Sequence, residues 1–297
     1  MEYKINNSCV WITVNRKCNL RCFWCYAKEV TKSQEDMSRD LLFNILDLCA
    51  EGGVKKIVFI GGEPTIYPYL LEAISYCKSL SIKTEITTNG LRLKDKSYVL
   101  SLVEAGIDSI MISIKGSTRE DFLSTTGSDE FESIILALKH LSVTNIKYGV
   151  SAVLTTSFLE NIELLLPTFI KYNVKILVFS FLFGFGDELS SIDFLEKNNP
   201  NRVLELLSKK IVSNQECFSR INWLIEKCSH IVNIEPELYK IFEQHFYASC
   251  KKFNQPISFD CSGNLIPCNN YPSYTIGKFG VDFNSYKELQ SYVHKKL

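Results

Sequence analysis

Residues 15–26, NRKCNLRCFWCY, place Cys18, Cys22 and Cys25 in the spacing C-x3-C-x2-C. Three thiols so close in sequence indicate a metal site. Packing of these cysteines in the core is disfavoured, because the polar residues among them are poor core residues. Sulfur ligands select zinc, copper(I) or iron–sulfur clusters. A structural zinc site needs a fourth Cys or His nearby, but the next cysteine is Cys49. The pattern therefore favours a four-iron cluster with one iron left open.

A second motif follows a run of apolar residues. Lys56–Ile60, KIVFI, is typical of a strand that is buried on both faces in a parallel sheet. It leads directly into Gly61-Gly62-Glu63-Pro64. Two glycines permit positive φ angles and a close approach of the backbone to a ligand. We therefore expect a ligand-binding turn at the end of this strand.

Strands and helices alternate from residue 9 to residue 183. Short connections indicate parallel βαβ units with right-handed crossovers. Functional side chains then belong at the C-terminal ends of the strands, where Asn89, Ser113 and Lys115 lie. The predicted strands are 9–14, 56–60, 83–88, 109–114, 148–155 and 176–183, and the predicted helices are 36–51, 69–79, 96–105, 130–141 and 159–172. The pattern predicts an α/β fold with six strand–helix units.

Composition excludes several classes of protein. The chain has 297 residues, 46% of them apolar, which is enough for one large domain with an appendage. Basic and acidic residues both number 33, so no basic field favours nucleic acid. The start, MEYKINNS, lacks the apolar core of a signal peptide, and the longest apolar run is about half a membrane span. Eleven cysteines favour metal binding and free thiols. We expect a soluble cytoplasmic protein without nucleic-acid or membrane partners.

The cysteine spacing, Trp24 before the last cysteine, and the Gly-Gly-Glu turn after a strand together resemble the radical S-adenosylmethionine (SAM) enzymes. The resemblance implies an open partial (β/α)6 TIM-like barrel, the radical SAM fold. It also implies a [4Fe-4S] cluster on Cys18, Cys22 and Cys25, whose open iron chelates the methionine part of SAM. Trp24 would then pack near the adenine.

The same resemblance assigns the SAM-binding residues. It implies that the Gly-Gly-Glu motif binds the SAM amino group, and that Asn89 and Ser113 approach the SAM ribose and methionine. Lys115 stands where the peptide-modifying branch of the family often has an acidic residue. We expect this lysine to pair with a carboxylate of SAM or of the substrate, as a point charge. The candidate cofactor-binding residues are Trp24, Gly61, Gly62, Glu63, Pro64, Asn89, Ser113 and Lys115.

The part of the chain after the sixth predicted strand has a different residue pattern. Residues 202–247 read as helical, and they include Trp223, Leu224 and Ile225. Further on, Ser262-Gly263-Asn264 is a hairpin-type turn between two short β runs. We expect a radical SAM barrel at 8–190, a helical connection at 191–248 and a small region with a β-hairpin at 249–297.

The C-terminal cysteines resemble a second motif of the same family. Cys250, Gly263 and Cys268 fit C-x(9–15)-G-x4-C, which opens the auxiliary-cluster module called SPASM, or twitch in its shortened form. The resemblance implies an auxiliary iron–sulfur cluster on Cys250, Cys268 and Cys261. Its fourth site would be open, or filled by substrate, Cys228 or Asp260. The alternative is a hairpin with free thiols, because the downstream cysteines of the full module are missing.

The resemblance implies that the chain cleaves SAM reductively and that the resulting 5′-deoxyadenosyl radical abstracts hydrogen from a substrate. The preferred substrate is a ribosomally made peptide, which a maturase would cross-link, epimerise or oxidise. The alternative is a small-molecule dehydrogenase or cyclase acting on a sugar or nucleotide. An electron-carrying iron–sulfur protein is the least favoured reading, because it has no use for the Gly-Gly-Glu turn. Flavodoxin or ferredoxin would donate electrons, and a separate protein would recognise the peptide, because few residues precede the first predicted strand.

Overall fold

A computed structural model describes residues 6–27, 33–182, 192–227, 233–248, 256–266 and 274–296. Their strands form a single sheet of eleven, in the order β11-β10-β9-β1-β2-β3-β4-β5-β6-β7-β8. The run from β9 to β8 is parallel throughout, and β10 and β11 are antiparallel. The strands are β1 (Asn6–Thr13), β2 (Lys56–Ile60), β3 (Lys83–Thr88), β4 (Ser109–Ile114), β5 (Lys147–Leu154), β6 (Ile176–Phe181), β7 (Asn222–Lys227), β8 (Phe246–Ala248), β9 (Pro256–Phe259), β10 (Asn264–Ile266) and β11 (Gly277–Lys278). The sheet does not close on itself, since β11 and β8 are its two edges.

Helices connect the parallel strands and cover one face of the sheet. Local signals fix their ends: the Ser38 side chain accepts a hydrogen bond from Leu41 N at the start of the first helix. Gly106, in the left-handed region, ends the third. The helices are α1 (Arg39–Glu51), α2 (Leu70–Ser79), α3 (Lys96–Ala105), α4 (Arg119–Thr126), α5 (Phe131–Leu141), α6 (Thr156–Glu160), α7 (Ile162–Lys171), α8 (Ile192–Lys197), α9 (Pro200–Ser213), α10 (Gln215–Ser219), α11 (Pro236–Phe242) and α12 (Tyr286–Lys296). Short 3₁₀ turns lie at Pro64–Ile66, Leu91–Lys94 and Glu243–His245.

The main core lies between the sheet and these helices. Alternate residues of each central strand are buried there, as Ile110, Ile112 and Ile114 are on β4. The residues between them face the opposite side of the sheet and are partly exposed, as Ser109, Met111 and Ser113 are. We call this second side the inner face. Polar groups on it are available to ligands.

The C-terminal elements join the barrel beside its first strand. β9 pairs with β1 in parallel, and a turn at Gly263 (φ +78°) reverses the chain into β10. α12 packs on α1, where Tyr286 N donates to Glu51 Oε2 over 3.1 Å. The predicted hairpin is confirmed, and it lies next to the strand that leads into the cysteine loop.

Most of the predicted elements are confirmed, and the helical reading of 202–247 is wrong in part. β2, β3, β4 and α3 have the predicted bounds, whereas the predicted helix 159–172 is two helices, α6 and α7. β7 and β8 lie in the stretch read as helical and extend the sheet in parallel beyond β6. α4 was not predicted. The division into three regions at residues 190 and 248 stays a prediction.

Within the described ranges, the longest and most apolar helices fall short of what a membrane span requires.

Candidate active site

The cysteine loop follows β1 and is held from several sides. Cys18, Cys22 and Cys25 are free thiols, each half-buried. The loop is anchored to the end of α4, where Arg21 N donates to Thr126 O over 3.4 Å and Phe23 N donates to Thr125 O over 3.1 Å. These contacts fix the backbone between the cysteines by main-chain bonds.

The three thiols lie close enough to affect one another's ionisation. Burial raises the pKa of Cys18 to about 11; the Leu20 N–H, 3.4 Å from its sulfur, opposes this, and Glu63, Cys22 and Cys25 raise the pKa further. Burial also raises the pKa of Cys22, against the charge of Lys115. Metal binding requires the thiolate forms. A ligand that brings positive charge to the Cys18 and Cys22 sulfurs would therefore stabilise their thiolate forms.

The donor set fits a multi-iron cluster better than a single ion. No group of three His, Cys, Asp or Glu side chains in the described ranges converges tightly enough to hold one metal ion. In a four-iron cluster each cysteine binds a different iron, so its three sulfurs need not meet at one point. Three half-buried thiols on one loop, coupled electrostatically but not convergent, fit that requirement.

Backbone hydrogen bonds join the Gly-Gly-Glu turn to the residues before Cys18. Gly62 N donates to Asn15 O over 2.9 Å, and Glu63 N donates to Lys17 O over 2.7 Å. A Cβ on Gly61 would lie 2.1 Å from Asn15 Oδ1, and one on Gly62 would lie 2.2 Å from Lys17 O. Neither glycine has a positive φ. The two glycines are needed because the turn lies directly against the cysteine loop.

The Glu63 carboxylate is committed to the protein. Its side chain is 1% exposed. Oε1 accepts hydrogen bonds from Thr65 N (3.0 Å), Thr65 Oγ1 (2.6 Å) and Thr88 Oγ1 (2.6 Å), and Oε2 accepts one from Asn89 N (2.7 Å). Pro64, also buried, begins the 3₁₀ turn that presents Thr65. Glu63 thus ties the turn after β2 to the end of β3, and its Oε1 has no capacity left for a ligand.

Asn89 contacts the cysteine loop from the end of β3, and Trp24 is part of the loop itself. Asn89, at the end of β3, donates from Nδ2 to Asn19 Oδ1 over 2.7 Å and accepts from Leu91 N at Oδ1 over 3.1 Å. Trp24 is buried and packs edge-on against Phe23, with ring centroids 4.7 Å apart. The polar end of β3 is therefore part of the same site as the cysteines.

Ser113 and Lys115 extend the site across β4. Lys115 Nζ donates to Ser113 Oγ over 2.6 Å. Its charge also reaches the Cys22 thiol, as the effect on that pKa shows. The lysine is therefore a cation between the cysteine loop and the inner face of the sheet.

The C-terminal hairpin reaches the base of the cysteine loop. Arg16 Nη2 lies 3.5 Å from Asp260 Oδ2, and both side chains are less than a tenth exposed. Asp260 also accepts from Ser262 N, Asn264 N and Asn264 Nδ2 over 2.8–2.9 Å, so its carboxylate is already in use. This ion pair could not be predicted from local sequence patterns, because 244 residues separate its members.

Of the three predicted auxiliary ligands, Cys261 is the one that the structure describes. It is buried, its sulfur lies 3.9 Å from Glu35 Oε2, and burial raises its pKa against the charge of Arg16. Cys250 and Cys268, the other predicted auxiliary ligands, lie outside the described residues, as does Cys228. The auxiliary cluster stays a prediction.

Sequence comparisons relate the chain to one family. The family profile described as "Radical SAM superfamily" matches residues 12–166, more than half of the chain. The GTP 3',8-cyclase of Chlorobaculum tepidum is 36% identical over 137 residues, 46% of this chain and 41% of that protein. A probable GTP 3',8-cyclase of Saccharolobus islandicus (strain M.14.25 / Kamchatka #1) is 33% identical over 129 residues, 43% and 41% of the two chains. The chain thus spans about two fifths of the length of these curated relatives.

Solved structures extend the likeness over nearly the whole chain. Native anSMEcpe with bound AdoMet matches with a TM-score of 0.73 at 18% identity, over 99% of this chain and 83% of that one. Streptococcus suis SuiB bound to precursor peptide SuiA matches with a TM-score of 0.69 at 18% identity, over 95% of this chain and 66% of that one. At such identities the likeness shows the fold, and the predicted open partial barrel is confirmed.

Proposed function

Because the chain belongs to the radical SAM superfamily, whose members are enzymes that use a [4Fe-4S] cluster and SAM, we propose that Cys18, Cys22 and Cys25 bind that cluster. When bound and reduced, the cluster supplies the electron that cleaves SAM to methionine and the 5′-deoxyadenosyl radical, which then abstracts a hydrogen atom from the substrate. Everything else in the reaction depends on side chains and backbone groups that bind and orient SAM and substrate and exclude water.

One observation supports the proposal most directly: backbone hydrogen bonds join the Gly-Gly-Glu turn to the cysteine loop. Gly62 N and Glu63 N donate to Asn15 O and Lys17 O. A ligand that contacts both motifs would therefore be bound by groups whose separation the fold fixes. If SAM were chelated at the open iron, this turn would be the group to bind its amino end, which supports this assignment of the motif.

The remaining predicted SAM residues receive individual roles. We assign SAM amino-group binding to backbone groups of the segment from Gly61 to Pro64, whose two glycines are half-buried. Glu63 Oε1 is left out, because three protein donors occupy it. Lys115 is suited to the carboxylate of SAM, because it is a cation beside Cys22. Asn89 and Ser113 line the approach, and Trp24 is proposed to support the adenine.

For the substrate we propose a ribosomally made peptide, modified by cross-linking, epimerisation or oxidation. The inner face near the proposed SAM site is lined by hydroxyls rather than by a group of cations, which suits a peptide. A separate peptide-recognition protein, a cytoplasmic flavodoxin or ferredoxin as electron donor, and an auxiliary cluster on Cys250, Cys261 and Cys268 complete the proposal. The second candidate, cyclisation of a nucleotide, is favoured by the relatives named GTP 3',8-cyclase.

Iron and sulfide content after anaerobic reconstitution tests the cluster assignment. The wild type is compared with a variant in which Cys18, Cys22 and Cys25 are all alanine. Cys217→Ala is the matched control, since this half-buried thiol lies on α10. A single cluster predicts about four irons in the wild type and none in the triple variant, and an auxiliary cluster predicts about eight falling to about four.

SAM cleavage is measured on the same preparations. With dithionite as reductant, the wild type and Cys217→Ala are expected to form 5′-deoxyadenosine, and the triple variant to form none. Formation of 5′-deoxyadenosine by the triple variant at the wild-type rate would refute the assignment of these cysteines.

A further inference from the structure

Polar side chains form a row on the inner face of the sheet. In the C-terminal halves of β4, β5, β6 and β7, polar residues of this face alternate with buried core residues and are themselves half-buried. They are Ser113, Ser151, Ser180 and Glu226. They form two pairs, Ser113 opposite Ser151 and Ser180 opposite Glu226. The second pair lies two residues nearer the C-terminal ends of the strands, because Ser151 is opposite Val178 and Ser180 is opposite Val153.

The row begins at the proposed SAM site. Ser113 accepts a hydrogen bond from Lys115 over 2.6 Å, and both residues are among the proposed SAM-binding residues. From β4 to β7 there are three strand spacings, or about 14 Å along the sheet. Glu226 therefore lies on the same face as the SAM site but beyond it, where a substrate would be bound.

Ser180 orients Glu226, and no cation among the described residues neutralises it. Ser180 Oγ donates to its Oε2 over 2.7 Å. In the part of the chain that the structure describes, Oε1 accepts no hydrogen bond and the carboxylate has no ion pair. Trp223 and Ile225, on the other face of β7, are buried against the helices, which fixes Glu226 on the inner face. A half-buried carboxylate that lacks a cation is suited to bind one from outside.

Glu85 provides the contrast. It is also a half-buried carboxylate on the inner face, near the N-terminal ends of the strands. Its Oε2 is 3.0 Å from Lys56 Nζ and accepts from Ser109 Oγ over 2.7 Å. Glu85 is thus neutralised by Lys56, whereas no cation in the described ranges pairs with Glu226.

The charge of this face also bears on the nucleotide alternative. A nucleoside triphosphate carries several negative charges, and proteins bind such groups with several Lys or Arg side chains. Among the described residues at the C-terminal ends of β4–β7, the inner face carries one such cation, Lys115, together with the negative charge of Glu226. A triphosphate would be repelled at β7, whereas an amine would be attracted.

We propose that Glu226, oriented by Ser180, binds an ammonium or guanidinium group of the substrate, as a Lys or Arg side chain of a peptide would supply. This inference rests on the proposed function, since it takes the inner face beyond Lys115 as the substrate site. It narrows the substrate class to one that carries a positive charge.

Two small probes that differ only in charge test the proposal. Nα-acetyl-lysine methylamide carries the ammonium group, and its Nε-acetylated form does not. Their affinities for the reconstituted full chain with SAM are measured by ligand-observed NMR. The wild type is expected to bind the amine at least about tenfold more tightly than the acetylated probe, as is usual for a charge-assisted contact. Glu226→Gln is expected to lose this preference, Ser180→Ala to weaken it, and the matched control Glu85→Gln to keep it.

Three results would overturn the assignment. They are equal binding of the two probes by the wild type, no binding of either probe, and an unchanged preference in Glu226→Gln whose melting curve matches that of the wild type. Micromolar binding of GTP, unaffected by Glu226→Gln, would also overturn it in favour of the nucleotide. Formation of 5′-deoxyadenosine by the wild type is measured in parallel. If none forms, the proposed function is refuted. If it forms and the probes fail to bind as expected, only the role proposed for Glu226 is refuted.

Discussion

Replacing Glu63 with glutamine exchanges one carboxylate oxygen for an NH₂ group in a fully buried network. The two Glu63 oxygens face different backbone donors, Thr65 N at Oε1 and Asn89 N at Oε2. Whichever way the amide is oriented, its NH₂ group meets a backbone N–H that cannot rotate away. The threonine hydroxyls can turn to accept a bond, but the backbone donors cannot.

The magnitude follows from these contacts. One buried backbone donor left unsatisfied costs about 1–3 kcal/mol. The remaining bonds lose the strengthening that a charged acceptor gives, which is about half of their contribution. We therefore expect Glu63→Gln to lower the free energy of unfolding by about 2–4 kcal/mol. At about 2 °C per kcal/mol for a chain of this length, the melting temperature should fall by about 4–8 °C.

Calorimetry of the cluster-free protein checks this expectation without any cofactor. Glu72→Gln is the matched control, because the Glu72 carboxylate is about half exposed and pairs with Arg39 at the surface. Such a pair contributes less than about 1 kcal/mol, so the control should melt within about 2 °C of the wild type. A Glu63→Gln protein that melts as the control does would refute the view that Glu63 is a structural tie.

Two further predictions concern close packing and titration. Gly62→Ala should lower the amount of iron bound after reconstitution, because its Cβ would lie 2.2 Å from Lys17 O and displace the cysteine loop. The control Gly280→Ala places a Cβ in open space at φ +81° and should bind as much iron as the wild type does. A full complement of iron in Gly62→Ala would contradict the reasoning. Burial raises the pKa of Tyr98 to about 12, above its usual value near 10. Its contribution to stability is complete below about pH 10 and is lost as the pH rises through about 12. Urea unfolding of wild type and Tyr98→Phe from pH 9 to 11 should show a smaller loss of stability with pH in the variant, and equal losses would refute the assignment.

The central strands were predictable because their residue pattern has a single interpretation. β2, β3 and β4 are short apolar or alternating runs bounded by polar residues or glycine, and the structure gives them the predicted bounds. β7 was missed although Trp223 and Ile225 are buried and alternate with half-exposed Leu224 and Glu226. In the sequence, Trp223, Leu224 and Ile225 are consecutive apolar residues, and so short an apolar run fits a strand or a helix equally well. Pairing with β6, which no local pattern reports, decides between them.

The candidate site was predictable at the level of motifs but not of contacts. The cysteine spacing and the Gly-Gly-Glu turn identify the two loops, and their contact makes them one site. The partners of the Glu63 carboxylate could not be predicted, because Thr88 and Asn89 lie 25 and 26 residues away and hydrogen bonds between loops leave no periodic signal. Glu226 could not be recognised as an inner-face residue while its strand was read as a helix.

The cysteine loop is fixed by the rest of the fold, and this determines where mutations should act. It is bonded to the turn after β2, to the end of α4, to Asn89 and, through Arg16, to Asp260 of the C-terminal hairpin. Because these bonds form when the chain folds, the entropy of ordering the loop is lost during folding and not when the cluster binds. Substitutions at Asp260 or Asn89 should therefore weaken cluster binding without touching a sulfur. The hairpin holds Arg16 through Asp260, which is not a cysteine, so a role in holding Arg16 and a role in an auxiliary cluster are separable.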